Sequence, residues 1–239
     1  MKIESSKNSV YKDLLALTKS KGIREQKRCL VSGDKITREI AGLSKLSSFW
    51  ITTEELVLPP GDWQRTATLA PDLFKTLDVC GTKKPLLCVE HSEPQPLKQL
   101  NPQSATLYVA LSDPTNLGAL IRTCAAFDWE QIVLLKESAN PFLPRAIRAA
   151  SGTCFASSFF YGPSIQDLKD PEIIALDMNG KIFTPGAIKK NLKLLVGEEG
   201  QGVPASFPGE RLQLTISNRV ESLNATVATS LLIYEWSKI

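Results

Sequence analysis

The C-terminal half of the chain carries three short segments whose side chains could do chemistry. The first, DPTNLGALIRTCAAF, follows an apolar strand-like run and places Arg122 six residues after Asn116. Ligands of open α/β sheets bind at the carboxyl ends of strands, where this turn is expected to lie. There Arg122 could hold a phosphate or carboxylate through two parallel hydrogen bonds. The structural alternative is that Asn116 caps the helix and Arg122 is a surface residue.

The second segment is a glycine-rich loop, LLVGEEGQGVP. Gly197, Gly200 and Gly202 permit positive φ angles and a close approach of the backbone to a ligand. The two carboxylates of the loop would repel a phosphate, and they suit hydroxyl groups or a cationic ligand better. A simple turn would explain the same glycines.

The third segment, ESLNATVA, places Ser222, Leu223 and Asn224 before an apolar run. Serine is a preferred N-cap, so Ser222 is predicted to cap a final helix that packs in the core or at an interface. The single histidine, His91, lies in a polar stretch with prolines, and we expect it to be exposed to solvent. Catalysis by Ser-His-Asp or Cys-His is therefore disfavoured.

Several common kinds of site are missing from the sequence. The apolar run at 107–111 is not followed by G-x-G-x-x-G, and G-x-x-x-x-G-K-[ST] does not occur, which disfavours dinucleotide folds and P-loop nucleotidases. The five cysteines are scattered and none forms C-x-x-C, so we predict no metal site and no disulfide framework. No apolar run reaches 18 residues and the N-terminus lacks a signal pattern. We therefore expect a soluble, cytoplasmic protein with reduced thiols.

The net charge of +3 is unevenly distributed. Residues 1–45 contain 11 Lys and Arg against 5 Asp and Glu, whereas residues 105–239 contain 12 against 13. A basic first segment indicates a polyanionic partner, with nucleic acid as the main candidate. A solvated helix face would give the same local balance.

A stretch with three prolines, EHSEPQPLKQLNPQS, lacks helical and strand periodicity and reads as a linker. We predict a small mixed α/β domain at residues 1–90, a linker at 91–104 and a second domain at 105–239.

The first domain shows one clear helical face, formed by Val10, Leu14 and Leu17, with Ser9 as a candidate cap. CLVSG, FWIT and LLCVE are predicted strands, and DKITREIAG is a helix that ends at Gly42.

In the second domain, continuous apolar runs alternate with helical patterns. The predicted strands are TLYVAL, QIVLL, CFASSFF, IIALDM, LKLLVG and LQLTI, and the predicted helices are LGALIRTCAAFDW, PRAIRAAS, SIQDLKD and the run after Ser222. Continuous apolar strands are typical of a largely parallel sheet that helices cover on both faces.

Taken in this order, the three segments resemble the motifs of the SpoU-type members of the knotted SPOUT methyltransferase superfamily, which methylate ribose 2′-hydroxyls in RNA with S-adenosylmethionine. The resemblance extends over nearly all of residues 105–239. It is looser in KSKGIREQKRCLVSGDKITREI, which resembles an RNA-binding N-terminal domain of the family. Two positions depart from the family pattern, because Glu198 stands where Asn or Pro is frequent and Ser32 stands where an acidic residue is common.

The resemblance implies a deep trefoil knot, a homodimer formed through the C-terminal domain, and three groups of functional residues. The implied catalytic residues are Asn116, Arg122, Glu199, Ser222 and Asn224. The implied cofactor-binding residues are Leu176, Gly197, Gly200, Gly202, Ile216 and Leu223. The candidate RNA-binding residues are Lys19, Lys21, Arg24, Lys27, Arg28 and, beside the site, Arg145 and Arg148.

The implied reaction needs a proton acceptor for the ribose hydroxyl. Arginine is a poor base because its pKa lies near ~12.5–13.8, so Arg122 is expected to anchor a phosphate and to stabilise developing alkoxide charge. Ribosomal RNA is the leading substrate. A tRNA-modifying enzyme and a catalytically silent RNA-binding or ribosome-assembly protein on the same fold are the alternatives.

Overall fold

The computed structural model describes residues 1–42, 48–61, 63, 65–184, 189–197 and 200–238. The chain divides into two compact units. The N-terminal unit comprises Met1–Glu93 and Asn140–Phe155, and the C-terminal unit comprises Pro94–Ala139 and Ala156–Ile239. Residues 140–155 therefore group with the N-terminal unit, although they lie within the second of the domains predicted from the sequence.

The described chain contains both helices and strands in each unit. Up to residue 93 they are β1 (Lys2–Ile3), α1 (Ser9–Ala16), α2 (Ser20–Gln26), β2 (Arg28–Val31), α3 (Asp34–Ala41), β3 (Ser48–Thr52), β4 (Thr66–Leu69), α4 (Pro71–Leu77) and β5 (Leu86–Glu90). Beyond it they are β6 (Gln95–Pro96), β7 (Thr106–Val109), α5 (Pro114–Ala126), β8 (Gln131–Leu134), α6 (Pro144–Ala149), β9 (Ser158–Tyr161), β10 (Ile173–Ile182), β11 (Lys193–Val196), β12 (Arg211–Gln213) and α7 (Ala225–Trp236).

The N-terminal unit contains a mixed sheet with strand order β1-β4-β3-β5-β2. β3 pairs with β4 in parallel and with β5 in antiparallel orientation. Leu14, Leu17 and Leu30 are fully buried in its core, and Val10 packs against that core. The predicted apolar face of α1 is therefore confirmed, and each such buried side chain contributes about 1.5–3 kcal/mol to folding.

Two local predictions for the N-terminal unit are wrong. Asn8, rather than Ser9, caps α1, because its side chain accepts a hydrogen bond from the Tyr11 N–H. His91 is half-buried rather than solvent-exposed, and its ring stacks on Phe142 with ring centroids 4.1 Å apart.

The C-terminal unit contains a parallel sheet with strand order β12-β10-β11-β7-β8-β9-β6. Every described pair of neighbouring strands in it is parallel, which confirms the predicted α/β class. The central strands β11 and β7 are almost entirely buried, as continuous apolar strands require. α7 packs against α5, where the Thr123 and Ser230 hydroxyls lie 3.1 Å apart.

Some predicted elements of the C-terminal unit change length or type. The predicted strand CFASSFF begins with a 3₁₀ turn, so that β9 starts at Ser158, and SIQDLKD contains only the 3₁₀ turn Ile165–Asp167. The predicted linker contains β6, which pairs in parallel with β9.

The five cysteines are free, and four of them are buried. Burial raises the pKa of the Cys88 thiol to about 11 and that of the Cys154 thiol to about 12, so both stay protonated at neutral pH. Within the described residues, no group of three or more His, Cys, Asp or Glu side chains could hold a metal ion. No helix in the described ranges is long and apolar enough to cross a membrane.

Candidate active site

A cavity of about 1120 Å³ lies in the C-terminal unit, beside β10, the carboxyl end of β11 and the start of α5. The described part of its wall comes from residues 176–179, 182, 196–197, 200–203, 205, 211, 213–218 and 220–225, together with Asn116 and Ala228. Because β10, β11 and β7 are adjacent parallel strands, their carboxyl ends meet at one edge of the sheet, where α/β proteins bind ligands.

One wall of the cavity is an irregularity in β10. The register of β10 against β12 shifts between Leu176 and Lys181, so the residues between them leave the regular ladder. Asp177, Met178 and Asn179 consequently line the cavity. The Asp177 carboxylate accepts a 2.9 Å hydrogen bond from the Asn179 N–H, which stabilises this local turn.

The opposite wall is the glycine-rich loop after β11. Gly200 and Gly202 have φ angles of +92° and +68°, a conformation that glycine adopts without strain. A Cβ atom on Gly197 would lie 2.7 Å from the Gly202 carbonyl carbon, so the loop folds back on itself closely. The loop therefore presents backbone groups to the cavity.

The third wall is the segment that leads into α7. Asn224 caps α7, because its side-chain oxygen accepts hydrogen bonds from the N–H groups of Thr226 and Val227 at 2.9 and 3.3 Å. The expectation that Ser222 is the cap is wrong, and Ser222 lies exposed in the cavity wall. The Thr226 hydroxyl donates a 3.1 Å hydrogen bond to the Asn116 carbonyl, which joins this segment to α5.

Most of the residues singled out by sequence come together in this cavity. They are Asn116, Leu176, Gly197, Gly200, Gly202, Ile216, Ser222, Leu223 and Asn224. Asn116 lies inside α5 rather than at its cap, since the Asp113 side chain caps that helix by accepting hydrogen bonds from the Thr115 and Asn116 N–H groups.

Two of the implied catalytic residues do not belong to this group. Glu199, with its neighbour Glu198, lies outside the described residues. Arg122 is exposed on α5 and is absent from the described lining of the cavity. The separation of six positions from Asn116 to Arg122 corresponds to a rotation of about 240° around the helix, so the two side chains leave α5 in different directions.

The candidate RNA-binding residues all lie in the N-terminal unit. Lys19 and Arg24 are exposed on and beside α2, whereas Lys21 pairs with Glu25 at 3.8 Å and Lys27 with Glu93 at 2.7 Å. Arg28 is half-buried on β2.

The other two candidates, Arg145 and Arg148, were expected beside the reaction site. They lie on α6, which packs against β2 within the N-terminal unit. The Arg148 guanidinium lies 3.1 Å from the position that a Cβ on Gly33 would occupy.

Sequence reasoning missed a charged pair in the cavity wall, Asp177 and Arg211. The two side chains form an ion pair and are 12% and 23% exposed. Asp177 lies within the run IIALDM, which was predicted only as a strand. Nothing in the local sequence placed Arg211 opposite it.

The described cavity wall combines amides, hydroxyls and bare backbone with a carboxylate–guanidinium pair, and the single histidine of the chain lies in the N-terminal unit. Such a wall can bind and orient a polar ligand, but it offers no imidazole as a base.

A model of the SpoU rRNA methylase family matches residues 105–234, more than half of the chain. Two proteins are similar over almost all of it. "Ribosomal RNA small subunit methyltransferase G 2" of Syntrophobacter fumaroxidans is 36% identical over 99% of this chain, which spans only 49% of that protein. "23S rRNA (guanosine(2553)-2'-O)-methyltransferase RlmP" of Bacillus subtilis is 28% identical, and the match covers 97% of both chains.

Among solved structures, the SpoU methyltransferase AviRb from Streptomyces viridochromogenes, in complex with the cofactor AdoMet, has a TM-score of 0.79 at 17% identity. The match covers 97% of this chain and 98% of AviRb. The likeness therefore includes the N-terminal unit as well as the parallel sheet.

Proposed function

Because the chain belongs to the SpoU rRNA methylase family, we propose that it transfers a methyl group from S-adenosylmethionine to the 2′-hydroxyl of a ribose in ribosomal RNA. The observation that carries this proposal is the convergence of three segments, far apart in sequence, on one cavity at the edge of a parallel sheet. The name of the Bacillus subtilis relative, a 2′-O-methyltransferase of 23S rRNA, supports the same reaction.

The cavity fits the cofactor in size and in chemistry. Its volume of about 1120 Å³ is slightly above the usual range for small-molecule sites, as a site for a cofactor and part of an RNA would require. A Cβ on Gly200 or Gly202 would meet no atom within 4 Å, so the loop offers uncovered backbone to a ligand. The residues proposed to hold S-adenosylmethionine are Leu176, Gly197, Gly200, Gly202, Ile216 and Leu223.

The cofactor supplies a methyl group already activated on its sulfonium, so the protein mainly aligns the two reactants. Asn116 and Asn224 orient the ribose, Ser222 binds the adjoining phosphate, and Glu199 fixes the glycine-rich loop. Arg122 holds a phosphate and stabilises the negative charge that develops on the ribose oxygen, and a bound phosphate or a water molecule accepts the hydroxyl proton.

Arg122 is exposed and absent from the described lining of its own cavity, and association of two copies of the chain would offer it a second cavity. α7 carries three exposed apolar side chains, Val227, Leu231 and Tyr234, at 49%, 47% and 48% exposure. Their spacing of four and three residues places them on one helical face, and a second copy of the C-terminal unit would cover them. In such a homodimer, Arg122 of one protomer serves the cavity of its partner.

The first domain, residues 1–90, binds the RNA substrate, and residues 91–104 link it to the methyltransferase domain at 105–239. Residues 140–155, which carry Arg145 and Arg148, group with the N-terminal unit and take part in the same binding. The support is the positive charge of the first domain and the exposure of Lys19 and Arg24. Lys21, Lys27, Arg28, Arg145 and Arg148 complete the set, which contacts mainly phosphates. Binding should therefore weaken steeply with salt.

The cytoplasmic location expected from the sequence stays a prediction.

The C-terminal segment forms a trefoil knot, a rare exception to unknotted topology. β12 is the outermost strand beside β10, whereas α7 packs on α5, which follows the central strand β7. Residues 214–224 consequently run along the cavity from β12 back to α7. This path supports the proposed knot.

The full chain, incubated with S-adenosylmethionine carrying a labelled methyl group, tests the function. Ribosomal RNA, tRNA and a DNA of matching sequence serve as acceptors. We expect label in ribosomal RNA and none in DNA, because only RNA has a 2′-hydroxyl. The labelled linkage should resist alkali, since a methylated 2′-oxygen cannot attack its own phosphate. Label in tRNA alone would favour a tRNA enzyme, and no label with RNA binding retained would favour a catalytically silent protein.

A further inference from the structure

The side chain of Arg211 contacts two separate walls of the cavity. Arg211 is the first residue of β12, and its guanidinium bonds to the Asp177 carboxylate in the irregular part of β10. The same guanidinium donates hydrogen bonds to the carbonyl of Val203 at 3.3 Å and to the carbonyl of Pro204 at 2.5 Å. Both carbonyls belong to the chain that continues the glycine-rich loop.

An aromatic contact extends the connection along the same chain. The Arg211 guanidinium carbon lies 5.9 Å from the centroid of the Phe207 ring, within the range of cation–π attraction. Phe207 is itself buried, at 7% exposure, in the core of the C-terminal unit. Arg211 thus connects the chain after the glycine-rich loop to the core through Phe207, and to β10 through Asp177.

The backbone fixes the position of this arginine. Gly180 lies against the Arg211 backbone so closely that a Cβ would come within 2.5 Å of the Arg211 carbonyl carbon. The ion pair with Asp177 is largely shielded from water, and loss of either partner would leave a poorly solvated, unpaired charge. Only the planar guanidinium, with its five N–H donors, can satisfy a carboxylate and two carbonyls at once.

We propose that Arg211, held in place by Asp177, is a positioning residue that fixes the Gly200–Phe207 loop for cofactor binding. The cofactor part of this inference rests on the proposed function, since it takes the cavity as the S-adenosylmethionine site. Arg211 then acts on the affinity for the cofactor and not on the transfer step.

The experiment compares full-length variants. Arg211→Met removes the guanidinium at similar length, Arg211→Lys keeps the charge without the planar fork, and Asp177→Asn keeps the shape of the partner without its charge. Lys181→Met is the matched control, because it removes an exposed ion pair between Lys181 and Glu210, which border the same pair of strands.

Amide hydrogen exchange is measured in residues 200–207 without ligand. The affinity for S-adenosylmethionine is measured by calorimetry, and KM and kcat are measured as well. We expect faster loop exchange in both Arg211 variants, with a dissociation constant and KM raised about tenfold or more, because a charged hydrogen-bond donor is lost. At saturating cofactor kcat should stay within about twofold of the wild type. Asp177→Asn should show a smaller shift in the same direction, and Lys181→Met should show none.

Loop exchange and cofactor affinity equal to wild type in Arg211→Met would overturn the inference, as would an equal effect of Lys181→Met. If Arg211→Met does not fold, Asp177→Asn tests the proposal instead. Unchanged loop exchange and unchanged cofactor affinity in that isosteric variant would contradict it. A wild-type protein that binds no S-adenosylmethionine would refute the proposed function and the cofactor role, whereas loop exchange would still test Arg211 as the residue that fixes the loop.

Discussion

The side-chain nitrogen of Asn224 donates a 3.4 Å hydrogen bond to the side-chain oxygen of Asn116, which lies 108 positions earlier in the chain. The oxygen of the same Asn224 amide caps α7. One carboxamide therefore begins the last helix and also links it to the first turn of α5. The oxygen and the nitrogen of this amide can be altered separately by mutation.

Asn224→Asp retains the capping oxygen but loses the amide donor to Asn116. We expect thermal stability near that of the wild type, since Asp caps helices as well as Asn. Methyl transfer should fall about tenfold or more, because the group proposed to orient the ribose is changed. Asn224→Ala should in addition lower the free energy of unfolding by about 1 kcal/mol. Thermal unfolding and labelled-methyl transfer measure the two effects, and a fully active Asn224→Asp protein would exclude a role for the donor.

These contacts show what the sequence could and could not predict at the site. Each of the three segments can be recognised from its own residue types. Their convergence then follows from the fold class, because the carboxyl ends of parallel strands meet at one edge of the sheet. Ser222 and Asn224 are equally good capping residues, and local preference cannot choose between them. The choice depends on where Asn116 and α5 lie, which is a tertiary relationship.

Arg122→Ala should abolish methyl transfer and leave the affinity for S-adenosylmethionine within about twofold of the wild type, because Arg122 is not in the described lining of the cavity. Calorimetry and single-turnover transfer measure the two quantities. Full activity in this variant would remove Arg122 from the mechanism.

Mixed dimers test whether Arg122 acts on the partner's cavity. Gly197→Val should block the glycine-rich loop, because a side chain there would overlap Gly202. Neither single variant transfers methyl groups. A randomly mixed population of the two should recover roughly a quarter of wild-type activity, since half of the dimers then hold one complete site. No recovery, with mixed dimers demonstrated, would place Arg122 in its own subunit's reaction.

Leu231→Glu should convert the proposed homodimer to a monomer, because it places a charge at the centre of the exposed apolar face of α7. Light scattering coupled to size-exclusion chromatography measures the mass. Tyr161→Glu is the matched control, since Tyr161 is a similarly exposed apolar side chain on β9, at 52% exposure. An unchanged mass in Leu231→Glu would reject α7 as the contact.

Lys19→Ala and Arg24→Ala should each weaken RNA binding and reduce the slope of log affinity against log salt by about one, as expected for a lost phosphate contact. In the described part of the chain neither side chain has an ion-pair partner, whereas Lys21 and Lys27 do, so Lys27→Ala should have a smaller effect. Filter binding over a range of potassium chloride concentrations measures the slope. Lys75→Ala, an exposed change on α4, is the control, and an equal effect there would show that net charge alone matters.

Prediction from sequence was least successful where single side chains join distant segments. The apolar runs predicted the parallel sheet because burial of both faces requires them. The irregularity in β10 that places Asp177 in the cavity depends on pairing with β12, and the contacts of Arg211 depend on the path of the glycine-rich loop. Neither leaves a periodic pattern in the sequence.

The most direct test of the central claim is a map of ribose methylation in ribosomal RNA and tRNA from cells that lack this chain. The map is compared with maps from the same cells supplied with the wild-type chain or with Arg122→Ala. We predict that a ribosomal RNA ribose loses its 2′-O-methyl group, that the wild type restores it and that Arg122→Ala does not. A ribosomal RNA methylation map that stays the same without the chain would contradict the account.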